Sequence, residues 1–342
     1  MRRILFVALV AAGCGGSQKP TTPPPPLADQ KETPPETKPE AKPEAKPEEA
    51  KEPPPGPVDV TVAAPKVTVK LVSAGKGTKA ALKVAPKQGE KQNVELALDF
   101  SGEQAGPPEA GGTQKAIYPT IVLTGSAEVK TSDKDGSTYE VAVTGTDVRE
   151  NQGQQIPTNV MKQALELVKD LKIGGTIAGN GAAGDVKFHV DKADRSAAQV
   201  LELVRGATLP AWPVLPNEPI GVGAKWQVTA TTRVQDKLDV TQTTDYELVE
   251  HKGNKWTLKG TTKVTGTDQK VDGAQISGIK GSGTIEVAML DGALYPSTAK
   301  TKMETEFDAK ILPDPSEVKD PSAAKAIDIH FDLKQGTQVT QK

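Results

Sequence analysis

Asp328, His330 and Asp332 alternate with Ile327, Ile329 and Phe331 near the end of the 342-residue chain, in the stretch IDIHFD. Alternate residues of an extended strand share one face, so two carboxylates and an imidazole would project together, a set able to offer oxygen and nitrogen to a divalent ion. The opposite face is apolar and marks the core side. A metal site needs a further convergent ligand, and the sequence identifies none; the stretch reads as the wet face of a strand, and no metal is expected. The run GNGAAG at 179 to 184 matches the dinucleotide fingerprint letter by letter. That fingerprint works only between a strand and the helix it opens, whereas here a helix is predicted before it and the strand DVKFHV after it, so it reads as a loop. His189 and His251 stand alone. HExxH, GxSxG and Walker signatures are missing, no catalytic residue is assigned, no cofactor is expected, and the chain reads as non-enzymatic.

The single cysteine is Cys14, in the opening MRRILFVALVAAGCGG. Arg2 and Arg3, the apolar run Ile4 to Ala12 and the small residues before Gly13 are the parts of an export signal. The apolar run is about half of the roughly 20 residues that a spanning helix needs. VAAGC resembles the lipobox of bacterial lipoproteins. That resemblance implies cleavage after residue 13, lipid attachment at the Cys14 sulfur, and a membrane partner reached through two or more acyl chains, which together anchor firmly. Gly15 in place of an aspartate implies the outer membrane. An ordinary secretory signal cut at the same small residues is the alternative, and it would leave an unpaired thiol in an exported protein.

Residues 14–57 follow as a tether, with half of the chain's 28 prolines, no aromatic residue and a repeated K-P-E-A unit. Such a segment cannot bury a core and favours extended polyproline II, at about 3.1 Å per residue. Its lysines and glutamates balance, and the whole chain carries a formal charge of −2. Neither docking on anionic lipid nor nucleic-acid binding is expected from that balance, since no basic patch interleaved with aromatics exists.

Residues 58–342 hold the periodic apolar sequence, dominated by two-residue alternation. In KWQVTATTRV, Trp226, Val228, Ala230 and Val234 share one face, and Lys225, Gln227, Thr229, Thr231 and Arg233 the other. That pattern predicts an antiparallel strand with one wet face, and it recurs at Val94 to Phe100, Tyr139 to Val143, Ile285 to Met289, Met303 to Phe307 and Ile327 to Leu333. KDG, KGN and LDG mark hairpin tips. Charges on the second face exclude a membrane-spanning barrel wall. Two segments predict helices: 158–174, with Met161, Leu165 and Val168 on its apolar stripe, and 194–206, with Val200, Leu201 and Val204. The predicted fold is mainly β (α+β): a large curved antiparallel sheet or half-barrel with the two helices packed on its concave face.

PNEPIGVGAKWQV, TTDYELV and GSGTIEVAMLDGALYPSTAKT, within 210 to 310, resemble a family of bacterial lipoproteins of unknown function with a G-x-G before a strand-initial Trp. More loosely, the architecture is similar to half-barrel lipoprotein carriers. The motifs of the resemblance are structural, and fold-level likeness does not license function. The leading expectation is a non-enzymatic, membrane-anchored envelope lipoprotein that binds a hydrophobic or lipid ligand between sheet and helices, with the helix-stripe residues Met161, Leu165, Val168, Val200, Leu201 and Val204 as candidate lining, which core packing equally explains. The alternative is a structural or protein-interaction module displayed on the tether.

Overall fold

The computed structural model describes residues 56–108, 111–166, 168–193, 212–234, 238–311 and 326–342. The chain opens with β1 (Gly56–Val62), β2 (Lys66–Ser73) and β3 (Lys76–Ala80), then β4 (Lys91–Ala105), β5 (Thr113–Ile117), β6 (Thr120–Ser132) and β7 (Gly136–Arg149). After α1 (Thr158–Glu166) come β8 (Lys172–Ala178), β9 (Ala183–Ala193), β10 (Ile220–Val222), β11 (Lys225–Val234), β12 (Leu238–Lys252) and β13 (Lys255–Thr265). β14 (Gln269–Val271), β15 (Ala274–Leu290), β16 (Thr298–Ile311) and β17 (Ile327–Gln341) complete it.

Fifteen strands form one antiparallel sheet, whose main path runs β1-β9-β8-β7-β6-β4-β17-β16-β15-β13-β12-β11-β2; β10 pairs separately with β3. Both edges of that path, β1 and β2, are consecutive in sequence, separated by residues 63–65. Laid flat, the path would be roughly 58 Å wide at about 4.8 Å per strand. Three linking residues reach at most about 14 Å. The sheet must therefore curl until its edges nearly meet, although no hydrogen-bonded ladder joins β1 to β2. The sequence expectation of a large, curved, mainly antiparallel sheet holds.

Alternation decides which side each residue takes. Leu98, Ile121, Phe188, Leu248 and Trp256 are among the buried side chains of a main core, and Val240, Ile276, Phe307, Ile329 and Phe331 belong to a second, smaller cluster. Phe307 and Phe331 are direct cross-strand partners, with rings 5.0 Å apart. On the other face, Lys225 meets Glu247 at 3.6 Å, Lys259 meets Glu286 at 3.3 Å, and Lys334 meets Glu304 at 3.2 Å. Each is a directly opposed pair, a modest contribution where exposed. A lipid-facing wall needs an apolar band instead. No helix among the described residues is long and apolar enough to cross a membrane.

The helices depart from expectation. One helix lies among the described residues, and it is shorter than predicted. The Pro157 carbonyl receives its first amide bonds. It ends at Glu166 because Val168 and Leu171 close tighter turns, after which Ile173 and Ile177 alternate inward as part of β8. Gly174, the last residue of the predicted helix, lies in that strand; at the neighbouring Gly175 a Cβ would stand 3.0 Å from the Tyr139 hydroxyl. α1 packs against β7 with Met161 and Leu165 in the main core. The second predicted helix, 194–206, lies outside the described residues.

Trp256 is fully buried and donates from Nε1 to Asp291 Oδ1 at 3.0 Å. Tyr139 is buried with a hydroxyl that finds no hydrogen-bond partner among the described residues. Two opposite outcomes follow for chemical denaturation. Trp256→Ala should lower the unfolding free energy by about 3–5 kcal/mol, while Tyr139→Phe should be neutral or raise it by up to about 1 kcal/mol, because it removes a polar group left unsatisfied.

Candidate functional site

The outer face of β16 and β17 concentrates the groups able to do chemistry. β17 presents Asp328, His330 and Asp332, as alternation required, while β16 presents Glu304, Glu306 and Asp308. Antiparallel register sets Asp308 opposite His330 and Glu306 opposite Asp332. The backs of the same strands carry Phe307, Ile329 and Phe331 into the second cluster, which anchors the wall that holds these groups.

A bulge in β15 completes the arrangement. The register shifts between Ser277, opposite Asp308, and Lys280, opposite Glu306. Gly278 takes φ +64° there, a left-handed conformation that glycine adopts without steric penalty. The extra residue turns Ile279 inward, where it is buried, and brings Lys280 outward onto Glu306 at 2.8 Å.

His330 is the centre of the group. Its Nδ1 lies 2.7 Å from Asp308 Oδ1; an ionised carboxylate only accepts, so Nδ1 carries a proton and donates. Its Nε2 faces Glu306 Oε2 at 3.8 Å and Asp332 Oδ2 at 3.7 Å, both beyond hydrogen-bond length. One ligand atom from each of Glu306, His330 and Asp332 lies within 4.8 Å of the others. The Asp308 hydrogen bond, then the surrounding carboxylates, raises the imidazole pKa above its ordinary 6.5. Beside the group, Asp308, His330, Ser277 and Gln275 contribute to the lining of a recess of about 500 Å³. Asp328 is not part of the triad; it faces Lys310 at 4.0 Å. Sequence reasoning found His330 and Asp332 but missed Glu306 and Asp308, although the alternating acids of METEFDAK were the signal available.

Other sequence-selected residues lie elsewhere. Val168 sits fully buried in the turn after α1 and, like Met161 and Leu165, belongs to the packed core. Val200, Leu201, Val204 and Cys14 lie outside the described residues. An apolar cavity of about 30 Å³ is lined by Val94, Leu123, Val141, Ile173, Tyr295 and others, and Met161, Leu165 and Val168 are not among its lining residues. That is far below the roughly 300–1,000 Å³ of a small-molecule pocket. GNGAAG spans the β8–β9 connection and the start of β9, so a strand precedes it and no helix follows. Trp212 is wedged between Tyr139 and Tyr295, with ring centroids at 5.3 and 4.8 Å, and donates to the Leu294 carbonyl at 2.7 Å.

His189 makes a different contact. Nδ1 lies 2.8 Å from Asp59 Oδ1 on β1 and Nε2 lies 2.9 Å from Asp191 Oδ1 on its own strand, with Lys172 of β8 at 3.9 Å from Asp191. Both nitrogens can donate at once only in the imidazolium, which ties β1 to β9.

No family model and no curated protein matches the chain. Among solved structures, the loop L8 deletion mutant of OmpT from Vibrio cholerae aligns at 7% identity over 72% of this chain and 99% of its own, with a TM-score of 0.17. OccK2 of Pseudomonas aeruginosa aligns at 6% over 75% and 98%, with a TM-score of 0.19. OpdQ of the same organism gives 8% over 73% and 98%, and 0.18. At such scores the likeness carries no argument about fold or function.

Hydrogen bonds to Asp191 and then Asp59 raise the His189 pKa above 6.5. A raised imidazole pKa stabilises the folded chain fully below the unfolded value, and that contribution disappears as pH rises through the folded value. Amide exchange along β1 should therefore accelerate as the medium moves from acid through neutral to alkaline, after correction for intrinsic exchange. His189→Asn should flatten the response; an unchanged pH profile in that variant would contradict the clamp.

Proposed function

We propose that the chain is a lipid-anchored protein of the bacterial cell envelope, attached through Cys14 and displaying its β domain on the Pro-rich tether. It acts there by binding at its outer surface rather than by catalysis. The observation that carries this reading is the packing of the interior. Small-molecule pockets measure about 300–1,000 Å³, whereas an apolar cavity found among the described residues is about 30 Å³, and Met161, Leu165 and Val168 are occupied in packing against the core. A lipid carried between the sheet and two helices, the expectation drawn from the half-barrel carriers, would need a larger space. The outer face instead offers ordered charged groups on a wall braced from behind by Phe307 and Phe331.

The anchor rests on the lipobox resemblance, and outer-membrane placement on Gly15. Expressed in a Gram-negative host, the unmodified protein should remain with the membranes after a salt wash, and Cys14→Ser should move to the soluble fraction. A Cys14→Ser protein that still sediments with washed membranes would contradict the anchor. For the mode of action, unlipidated protein should take up no hydrophobic dye and carry no co-purifying lipid by mass spectrometry. Deleting only residues 17–57 should abolish capture of envelope partners. Stoichiometric lipid would instead restore the carrier reading.

A further inference from the structure

We propose that Glu306, His330 and Asp332 form a binding site for a Zn²⁺-type divalent transition-metal ion on the outer wall of the sheet, with Asp308 as the group that positions the imidazole. The site goes beyond the anchored-display reading and stands or falls separately from it.

The two histidines that sit among carboxylates show why His330 differs. At His189 both ring nitrogens have a carboxylate oxygen within 2.9 Å, so the ring is used up as a doubly donating cation. At His330 only Nδ1 is engaged in this way. Donation from Nδ1 to Asp308 leaves Nε2 as the lone-pair nitrogen of the neutral ring, in the carboxylate–histidine–metal arrangement that fixes a ligating imidazole's tautomer and orientation. Nε2 then points between two carboxylate oxygens 3.7 and 3.8 Å away. Those distances are too long for hydrogen bonds. They are close to the separation of about 3.4 Å between ligand atoms that share one tetrahedral ion at about 2.1 Å, and all three ligand atoms lie within 4.8 Å of one another, so side-chain adjustment at this exposed face is what brings them onto one ion.

Charge points the same way. Glu103 of β4, Asp332 of β17 and Glu306 of β16 are direct cross-strand neighbours in one row. Like charges directly opposed destabilise a sheet unless a cation lies between them. Lys280 occupies Glu306 Oε1 at 2.8 Å, which leaves Oε2, the oxygen that faces His330, as the metal-directed one. Lys334 is turned to Glu304 at 3.2 Å. The β15 bulge thus neutralises one edge of the row while keeping the ligand oxygens clear.

Donor chemistry sets the class of ion. One imidazole nitrogen with two carboxylate oxygens suits zinc and its neighbours; calcium takes oxygen donors in larger number, and magnesium demands a regular octahedron of oxygens. Three protein ligands leave a fourth position for water, and all three side chains are partly exposed, which gives that position access to solvent.

The test titrates the full-length protein in detergent with Zn²⁺ by calorimetry and with Co²⁺ by visible absorption. Wild type should bind one ion per chain at this site and develop Co²⁺ ligand-field bands. His330→Ala should weaken binding at least 10-fold and abolish the bands, Asp308→Asn should weaken it about 10- to 100-fold, and His189→Ala should leave it unchanged. Far-UV circular dichroism checks that each variant is folded, and in the unmodified chain Zn²⁺ must shift the His330 Nε2 resonance, a readout independent of any substitution. An unmoved resonance, binding that survives His330→Ala, or equal competition by Ca²⁺ would overturn the assignment.

Discussion

Residues 63–65 are the shortest path between the two edges of a sheet whose main path crosses thirteen strands, and nearly every other feature follows from that tie. A flat sheet of that width could not be bridged by three residues, so the strands must coil and place one face of each on the inside. Because side chains alternate with period two, the coil converts each alternating strand into a contribution to a shared interior. The main cluster gathers residues from β1 and β2 at the edges through to β17, and so depends on the closure rather than on any single hairpin. The His189 clamp and the ladder between β1 and β9 hold one side of this seam, and the ladder between β2 and β11 holds the other.

Long strands extend this interior into a second apolar cluster, at the ends of β12 to β17. The stacked Phe307 and Phe331 lie directly behind Glu306, Asp308, His330 and Asp332, so the polar group is mounted on a braced wall instead of a loop. Side chains whose backbone is fixed on both flanks by ladders lose less freedom on meeting a ligand than loop residues do. The bulge at Gly278 connects the two faces: one extra residue sends Ile279 to the cluster and Lys280 to the acidic row. Packing inside and charge order outside are here a single backbone decision.

The interior and the outer wall therefore invite different functions. Aromatic rings fill the region around Trp212, Tyr139 and Tyr295, and the space left beside Tyr295 is about 30 Å³. The outer wall carries a histidine with one engaged nitrogen and one aimed between two carboxylates.

Sequence alone determined the strand-rich class and the face on which most residues lie, because period-two alternation is a local property of the chain. It also placed His330 and Asp332 on one face for the same reason. It misjudged 168 to 174, where a helical stripe ran on to Gly174: the apolar spacing there fits both periods, and pairing of β8 with β7 and β9 selects the strand from Lys172 on. Alternation was present in KVTVKLV too, yet nothing local marks β2 as the edge that ties the sheet to β1. Which residues oppose which is a matter of register between strands that can lie far apart in the chain, as the pairing of Val339 with Leu96 illustrates. Register brought Glu306 and Asp308 to His330, and no property of either strand read singly could reveal it.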